Sequence, residues 1–345
     1  MGSCESALNQ IKERRSFSQY LDRHHHHLSS ISDSISNHSS QNLPKTFRLY
    51  ILPPNITIYD DVTKKYDIYQ NEIGSGITAK VFMATNYRGE KFAIKRIIKS
   101  KIFDKERIIR EAQISMKLKN KNILNYFEIY EDNYYISYVM EYGDMDLFDF
   151  ISKCPLGKIP DTVAIDLLIQ ILNSISYLHD NSIIHCDIKP ENFIVIFDKN
   201  NMPTIKLLDF GNAIYKNKYK INSQNFRGTQ FYKAPECFEN SIFNEKVDEW
   251  AVGIIMYIML TGEEPFEGGV NLENNIKFKK INFAKIKNQK LREINEKLLC
   301  RNVEKRINAK EAVMILESIK NNYNAFKNKN GFYLNNAKIG LHNFV

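Results

Sequence analysis

Five short strings, in one order, constrain this chain more than anything else in it. They are Gly74-Ser75-Gly76, Ala93-Ile94-Lys95, His185-Cys186-Asp187-Ile188-Lys189-Pro190-Glu191-Asn192, Asp209-Phe210-Gly211 and Ala234-Pro235-Glu236. A glycine loop lets backbone amides approach phosphate groups closely. A lysine on a strand carries a charge that is costly to bury unless an acid lies opposite. Asn192 and Asp209 carry oxygen donors of the kind a hard cation takes, and Asp187 carries a carboxylate of the kind that can orient a hydroxyl. A polar turn with incidental acids does not explain both an Asp-x-Lys-x-x-Asn string and an Asp-Phe-Gly string at this separation.

The remainder of the chain can support a folded body around such a site. Its 345 residues, with 14 Gly and 9 Pro, allow one large domain or two lobes with extensions. A hydrophobic fraction of 43% excludes wholesale disorder. The formal net charge of +8 is compatible with nucleic acid, anionic membrane or acidic partners. The same excess follows from a general bias toward Lys, Asn and Ile, of the kind an AT-rich protist genome produces, and no nucleic-acid partner is expected. Cysteines stand at 4, 154, 186, 237 and 300 with no Cys-x-x-Cys pair and no Cys/His ligand spacing. That fits a reduced, intracellular compartment rather than a disulfide scaffold. The first thirty residues are polar, so no secretory signal is read. The longest apolar run, 251–260, is half of the ~20 residues a membrane span needs and reads as a buried helix.

Residues 1–60 are rich in Ser, Asn, His and Gln and read as a mostly disordered extension, with one short helix near 11–20 and a low-complexity four-His run at 24–27. From Tyr66 the pattern changes. Segments 66–73, 79–87 and 90–98 read as strands, with a turn at Arg88-Gly89. Segment 105–119 reads as a helix, with Ile109, Ala112 and Met116 at helical spacing. Segment 134–142 is a further strand. After Gly143 the chain turns mainly helical, and 162–179 carries a buried stripe at 163, 164, 167, 168, 171, 175 and 178. The expected organisation is a strand-rich lobe over 66–142, a helical lobe over 143–320 and an Asn/Lys-rich tail over 321–345.

The five strings and this lobe pattern resemble the eukaryotic protein kinase family, over roughly residues 66–320. The resemblance implies an α+β, bilobal protein-kinase fold, with a small antiparallel β-rich N-lobe holding one key helix and a larger, mainly α-helical C-lobe. It implies an enzyme that uses ATP and Mg2+ to phosphorylate serine and threonine hydroxyls of protein substrates, with autophosphorylation. By resemblance, Ile73, Gly74, Ser75 and Gly76 cover the phosphates, and Lys95, paired with Glu111, holds them. Val81 and Ala93 sandwich the adenine against Ile194, Met140 closes the back of the pocket, and Glu141, Tyr142 and Gly143 form the hinge. Asp187 orients the attacking hydroxyl, Lys189 neutralises the transferred group, and Asn192 and Asp209 hold the metal. Asp146 is similar to a carboxylate that contacts ribose or a basic substrate side chain. Lys189 and Thr229 together are the serine/threonine version of these positions. Glu236 is expected to pair with Arg306, and Asp248 with the catalytic-loop backbone; Trp250 and Gly253 complete the pattern at the start of the buried helix.

Within the family the chain most resembles the calcium/calmodulin-regulated and related basophilic groups, through Asp146, Glu191 and the Leu-Thr-Gly-x-x-Pro-Phe run that ends at Phe266. No EF-hand loop follows the catalytic region, so built-in calcium sensing is not supported. Asp146 and Glu191 suggest substrates with arginine before the target serine.

Three positions depart from the family pattern. Ala79 stands where a third glycine is usual, which predicts altered loop mobility. Cys186 replaces an arginine that reads a phosphate on the activation loop, so activity should not depend on a phosphate gripped there; Ser223, Thr229, Tyr215 and Tyr219 remain as phosphorylation candidates. Ser115 stands where an aliphatic residue usually packs on Phe210, which predicts a less firmly held helix unless Met116 fills the gap. These departures motivate the alternative of a pseudokinase scaffold that binds nucleotide without efficient transfer.

Met1-Gly2-Ser3-Cys4-Glu5-Ser6 matches the N-myristoylation pattern at Gly2, with Cys4 placed for palmitoylation and Lys12, Arg14 and Arg15 nearby. Two acyl chains anchor durably where one binds marginally. The expectation is a cytoplasmic protein held at a membrane by its acylated N-terminus; the rival is a cytosolic enzyme with an ordinary polar terminus.

Overall fold

Alternating half-buried residues and two turn signals lay down the first lobe as a sheet. Strand β2 (Tyr66–Ser75) pairs antiparallel with β3 (Ala79–Asn86), and β3 with β4 (Lys91–Ile98). The expected turn forms at Gly89, whose φ of 75° is cheap for glycine. Strands β5 (Tyr126–Glu131) and β6 (Tyr135–Glu141) extend the sheet, with β6 beside β4 and β5 on the far side of β6. The computed structural model describes residues 51–52, 58–76, 78–216, 221–223, 226–239 and 242–329. The acylation positions Gly2 and Cys4, the helix expected near 11–20, the His run and the tail beyond 329 lie outside the described residues.

The folded body begins earlier than the expected boundary at 66. A short strand β1 (Ile58–Tyr59) runs parallel to β5, pairing Ile58 with Ile129 and Tyr59 with Tyr130, so the sheet has six strands in the order β1-β5-β6-β4-β3-β2. Ahead of it, the N–H groups of Ile51 and Leu52 donate to the buried Glu131 carboxylate at 2.7 and 3.2 Å. Lys99 supplies the opposite charge at 2.9 Å. Leu52 is buried in the main core, a gain of about 1.5–3 kcal/mol for a side chain of this size. Parallel pairing across this distance in sequence leaves no local signature, which is why composition alone read the segment as loose.

Helix α1 (Lys105–Lys117) starts at Asp104, whose carboxylate accepts the Arg107 N–H at 3.0 Å. Its buried residues are Ile108, Glu111, Ala112, Ile114 and Ser115, a face rotated by about one residue from the expected Ile109–Ala112–Met116 spacing. The rotation brings Glu111 inward, and the acid is buried at the cost of leaving Ile109 and Met116 half-buried.

The second lobe is helical: α2 (Leu147–Lys153), α3 (Asp161–Asp180), α4 (Lys246–Thr261), α5 (Leu272–Phe278), α6 (Gln289–Leu298) and α7 (Ala309–Lys329). Helix α3 packs against α4 and α7, and its residues 164, 167, 168, 171, 175 and 178 are buried as expected. By length and composition α3 could cross a membrane; half of its apolar window is buried inside this body. Helix α4 is buried on nearly every face, in keeping with its apolar run. Helix α7 carries the ordered chain past the expected end at 320. Between the lobes lie β7 (Met145–Asp146), β8 (Ile183–Ile184), the hairpin β9 (Phe193–Phe197) and β10 (Pro203–Leu207), and β11 (Ile214–Tyr215). β7 pairs with β9, and β8 with β11, which fixes the loops that follow β8 and β10.

Candidate active site

Lys95 projects from β4 in the first lobe and meets two acids. Its Nζ lies 2.7 Å from Glu111 Oε1 on α1 and 2.9 Å from Asp209 Oδ1 in the second lobe. Burial alone would push the ammonium's pKa down, but the two carboxylates outweigh it and hold Lys95 charged well above the ordinary lysine range. Asp209 keeps 40% of its side chain open to the cleft. Its surroundings would raise its pKa, yet Lys95 holds the carboxyl below the usual range. Helix α1 is tied down further: Arg107 Nε donates to the Gly211 carbonyl at 2.6 Å and Arg110 Nε to the Ala213 carbonyl at 2.8 Å. The loosening expected from Ser115 is therefore offset by polar contacts. Ser115 is fully buried, and its hydroxyl has no hydrogen-bond partner among the described residues.

The catalytic-loop string is held from below. Asp248, at the start of α4, accepts the N–H groups of His185 and Cys186 at 2.9 and 3.0 Å, as expected, and also contacts His179 Nε2 at 2.9 Å. Two carboxylates, Asp248 and Glu249, raise the His179 pKa to about 10 against a burial penalty that would lower it. Cys186 and Asp209 both have φ of 63°, the left-handed region that costs a non-glycine residue of order 1–3 kcal/mol and persists where surroundings over-determine it. The Cys186 thiol is buried, and burial raises its pKa well above the ordinary value, so it is a packed small residue.

Asp187 Oδ1 accepts from both the Thr229 N–H (2.9 Å) and the Thr229 hydroxyl (2.8 Å). Lys189 Nζ donates to the same hydroxyl at 2.9 Å and lies 3.7 Å from Asp187 Oδ2. Asn212 Nδ2 reaches that second oxygen at 3.2 Å. Asn192 donates its amide nitrogen to the Asp187 carbonyl at 2.7 Å, which leaves its side-chain oxygen as the acceptor. The Asn192 carbonyl accepts the Leu208 N–H at 3.0 Å, so Asn192 adjoins Asp209. Among the described residues no three His, Cys, Asp or Glu side chains are grouped as a metal cage. Two adjoining oxygen donors beside an open cleft fit magnesium, which keeps waters and takes further oxygens from substrate phosphates.

At the nucleotide end, Ile73, Gly74 and Ser75 close β2, and the Gly76 N–H donates to the Ala79 carbonyl at 2.8 Å, which tightens the loop across the position that lacks a third glycine. Val81 is half-buried, Ala93 and Met140 are buried and paired across β4 and β6, and Ile194 on β9 is half-buried beside Gly143. Gly143 lets Ile194 pack close to the hinge: a Cβ there would lie 1.8 Å from Ile194 Cγ2. Glu141 turns its carboxylate to Lys206 (2.9 Å) and Asn125 (2.8 Å), while Lys91 sits over the Tyr142 ring. Asp146 accepts the Asp149 N–H at 2.7 Å and so caps α2. Glu191 Oε2 is buried with no hydrogen-bond partner among the described residues, and burial raises its pKa.

The segment after Asp209 packs by shape. A Cβ at Gly228 would lie 2.0 Å from the Cys186 carbonyl oxygen, so only glycine permits this approach. Phe226 packs edge-on against Phe243 at 5.6 Å, and Lys233 lies over the rings of Phe226 and Phe238. Ser223 is buried and donates to the Glu239 carbonyl, which removes it as an accessible phosphorylation candidate in this conformation. Tyr219 lies outside the described residues.

Sequence reasoning gave no role to Arg107, Arg110, His179, Asn212 or Tyr126. Arg107 and Arg110 stand near one turn apart beside Glu111, a spacing that flags a basic helix edge. Asn212 directly follows Asp-Phe-Gly. His179 and Tyr126 carry no local signal, because their partners are distant in sequence.

Comparison with known proteins agrees with this geometry. The family profile described as "Protein kinase domain" matches residues 68–315. The chain is 35% identical over 227 residues to "Calcium-dependent protein kinase 5" of Plasmodium berghei (strain Anka), covering 65% of this chain and 40% of the relative. It is 33% identical over 218 residues to "Calcium/calmodulin-dependent protein kinase type 1" of Caenorhabditis briggsae, covering 61% and 59%. It is 31% identical over 291 residues to "Calcium-dependent protein kinase 27" of Arabidopsis thaliana, covering 80% and 58%. The matched region thus spans less than two thirds of the length of each of these relatives.

Proposed function

The chain belongs to the protein kinase domain family, and from that premise we propose that it transfers the γ-phosphoryl group of ATP to serine and threonine hydroxyls of protein substrates, its own included. One observation carries the reading: a side-chain hydroxyl, Thr229 Oγ1, sits 2.8 Å from Asp187 Oδ1 and 2.9 Å from Lys189 Nζ. A carboxylate and an ammonium that share a hydroxyl in this way are equipped to do the same for an acceptor.

Asp187 takes the proton of the attacking hydroxyl as its oxygen bonds to the γ-phosphorus. The bond from that phosphorus to the β-phosphate oxygen breaks, and ADP leaves. Lys189 faces the charge on the group in transit, and Lys95 neutralises the phosphate chain from the opposite lobe. Asn192 and Asp209 would hold magnesium, which when bound neutralises phosphate charge and fixes the phosphate geometry. The transition state is loose, so positioning and charge carry most of the acceleration.

Glu191 and Asp146 support a preference for arginine ahead of the target residue. Burial raises the Glu191 pKa and Asp146 lies near enough to push it up further, so the two acids form one negative spot that an incoming guanidinium would neutralise. A degenerate peptide library with no basic preference would end that part of the reading. Gly2 and Cys4 support membrane attachment by acylation, tested by fractionating wild type against Gly2→Ala.

The decisive experiment incubates the purified full chain with radiolabelled ATP, magnesium and a protein substrate, beside Asp209→Ala. Label transfer by wild type alone is the expected result. Equal background in both chains, with nucleotide still bound, would replace the reading with a non-transferring scaffold.

A further inference from the structure

Four aromatic rings run in contact from the catalytic loop into the sheet of the first lobe. His185 meets Phe210 at a centroid distance of 5.5 Å, Phe210 meets Tyr126 at 6.2 Å, and Tyr126 meets Tyr138 edge-on at 6.1 Å. Both ends are tied to backbone. His185 Nε2 lies 3.2 Å from the Leu208 carbonyl, and the Tyr138 hydroxyl reaches the Ile108 carbonyl of α1 at 3.5 Å. β5, which carries Tyr126, packs on α1, where Ser115 supplies no apolar bulk.

The ring explains packing but not the hydroxyl. Phenylalanine would fill the same volume, and a buried phenol oxygen is penalised unless it is bonded. Tyr126 is 1% exposed, and its hydroxyl oxygen accepts the backbone N–H of Asp209 at 3.2 Å. That N–H belongs to the residue held at φ 63°, the conformation in which its carboxylate meets Lys95. Burial, the largest influence on the phenol, pushes its pKa well above the ordinary tyrosine value, so the group stays protonated across the physiological range.

We propose that Tyr126 is a positioning residue for Asp209: its hydroxyl pins the Asp209 backbone N–H and so fixes the carboxylate where a metal-bound nucleotide would meet it. The proposal rests on the reading of Asp209 as a metal-holding residue.

Tyr126→Phe removes one oxygen atom and keeps the ring column, which isolates the hydroxyl. The first readout needs no metal. Amide hydrogen exchange of the peptide spanning 205–213 in the nucleotide-free chain should quicken by about threefold to tenfold, the size of one lost net hydrogen bond. The second is fluorescence-detected binding of a nucleotide analogue titrated with magnesium. Its magnesium midpoint should rise by about threefold to tenfold, with metal-free nucleotide affinity unchanged. Tyr126→Leu should show at least the same two changes. Exchange and midpoint equal to wild type in Tyr126→Phe, even with a lower melting temperature, would overturn the proposal and leave a purely structural ring. A wild-type chain with no magnesium-dependent nucleotide binding overturns it outright. A wild-type chain that binds but transfers no label refutes the proposed activity while both Tyr126 readouts still decide this inference.

Discussion

Arg306 grips Glu236 through two parallel hydrogen bonds, Nη1 to Oε1 at 2.6 Å and Nη2 to Oε2 at 2.9 Å, with the guanidinium side chain fully buried. The same guanidinium donates to the Cys300 and Lys246 carbonyls and lies over the Trp250 ring. It therefore joins the Ala234-Pro235-Glu236 string to α4 and to the chain after α6. Arg306→Ala leaves the Glu236 carboxylate facing a cavity. We expect a loss of about 3–5 kcal/mol of stability, read by denaturant unfolding, with Arg306→Lys recovering only part of it because one ammonium cannot reproduce the fork.

His179 sets a pH dependence. Its folded-state pKa is raised from 6.5 to about 10 by Asp248 and Glu249, against burial. A raised pKa means that the stability this group lends is complete below pH 6.5 and fades as pH climbs toward about 10. Melting temperature should decline across that window in wild type and be flatter in His179→Gln. Parallel curves would show that the proton on His179 contributes nothing.

Gly143→Ala tests the hinge. The added methyl would sit 1.8 Å from Ile194 Cγ2 in the present geometry, so the Ile194 side chain, β9 or the hinge must shift. Affinity for nucleotide should drop by about tenfold or more, as overpacking of this kind costs roughly 1–3 kcal/mol. Nucleotide binding at wild-type strength, measured by calorimetry, would mean that the hinge moves freely.

Much of this arrangement was legible beforehand, and the reason is local chemistry. Lys95 and Glu111, Glu236 and Arg306, and Asp248 beneath His185 and Cys186 each pair as their motifs implied. The elements read individually between 66 and 180 have bounds that differ by one or two residues at most ends, but the strand Tyr126–Glu131 was not read and the helix Leu147–Lys153 was not delimited. What escaped was non-local. The parallel pairing of β1 with β5 joins residues about seventy positions apart, and alternation in a two-residue strand is too short to read. The inward face of α1 combines Ile108, Ala112 and Ile114 with the acid Glu111, a mixture that apolar spacing alone does not single out. Tyr126 lies in a strand where an aromatic residue is ordinary, so its contact with Asp209 has no signature in sequence.

For the proposed transfer, Asp187→Asn should lower turnover by about 10²–10⁴-fold while leaving nucleotide binding near wild type. A variant that retained more than a tenth of the activity would remove Asp187 from the proton path.

Phosphate on the segment after Asp209 should be dispensable. Cys186 offers no guanidinium, and the segment is instead packed through Phe226, Gly228 and the Thr229–Asp187 bonds. Phosphatase treatment should leave most activity in place, and Phe226→Ala should lower it severalfold. Activity abolished by phosphatase and restored by rephosphorylation would contradict this.

The strand at 58–59 has a practical corollary. It lies outside the span matched by the family profile, 68–315, yet it caps one border of the six-stranded sheet. A protein cut to that span would bare the β5 backbone along Ile129 and Tyr130 and strip Glu131 of its two amide donors. Unpaired strand borders recruit other chains, so such a truncated protein should self-associate where the longer one stays dispersed. Four residues, Ile51, Leu52, Ile58 and Tyr59, would then act as a built-in safeguard against clumping.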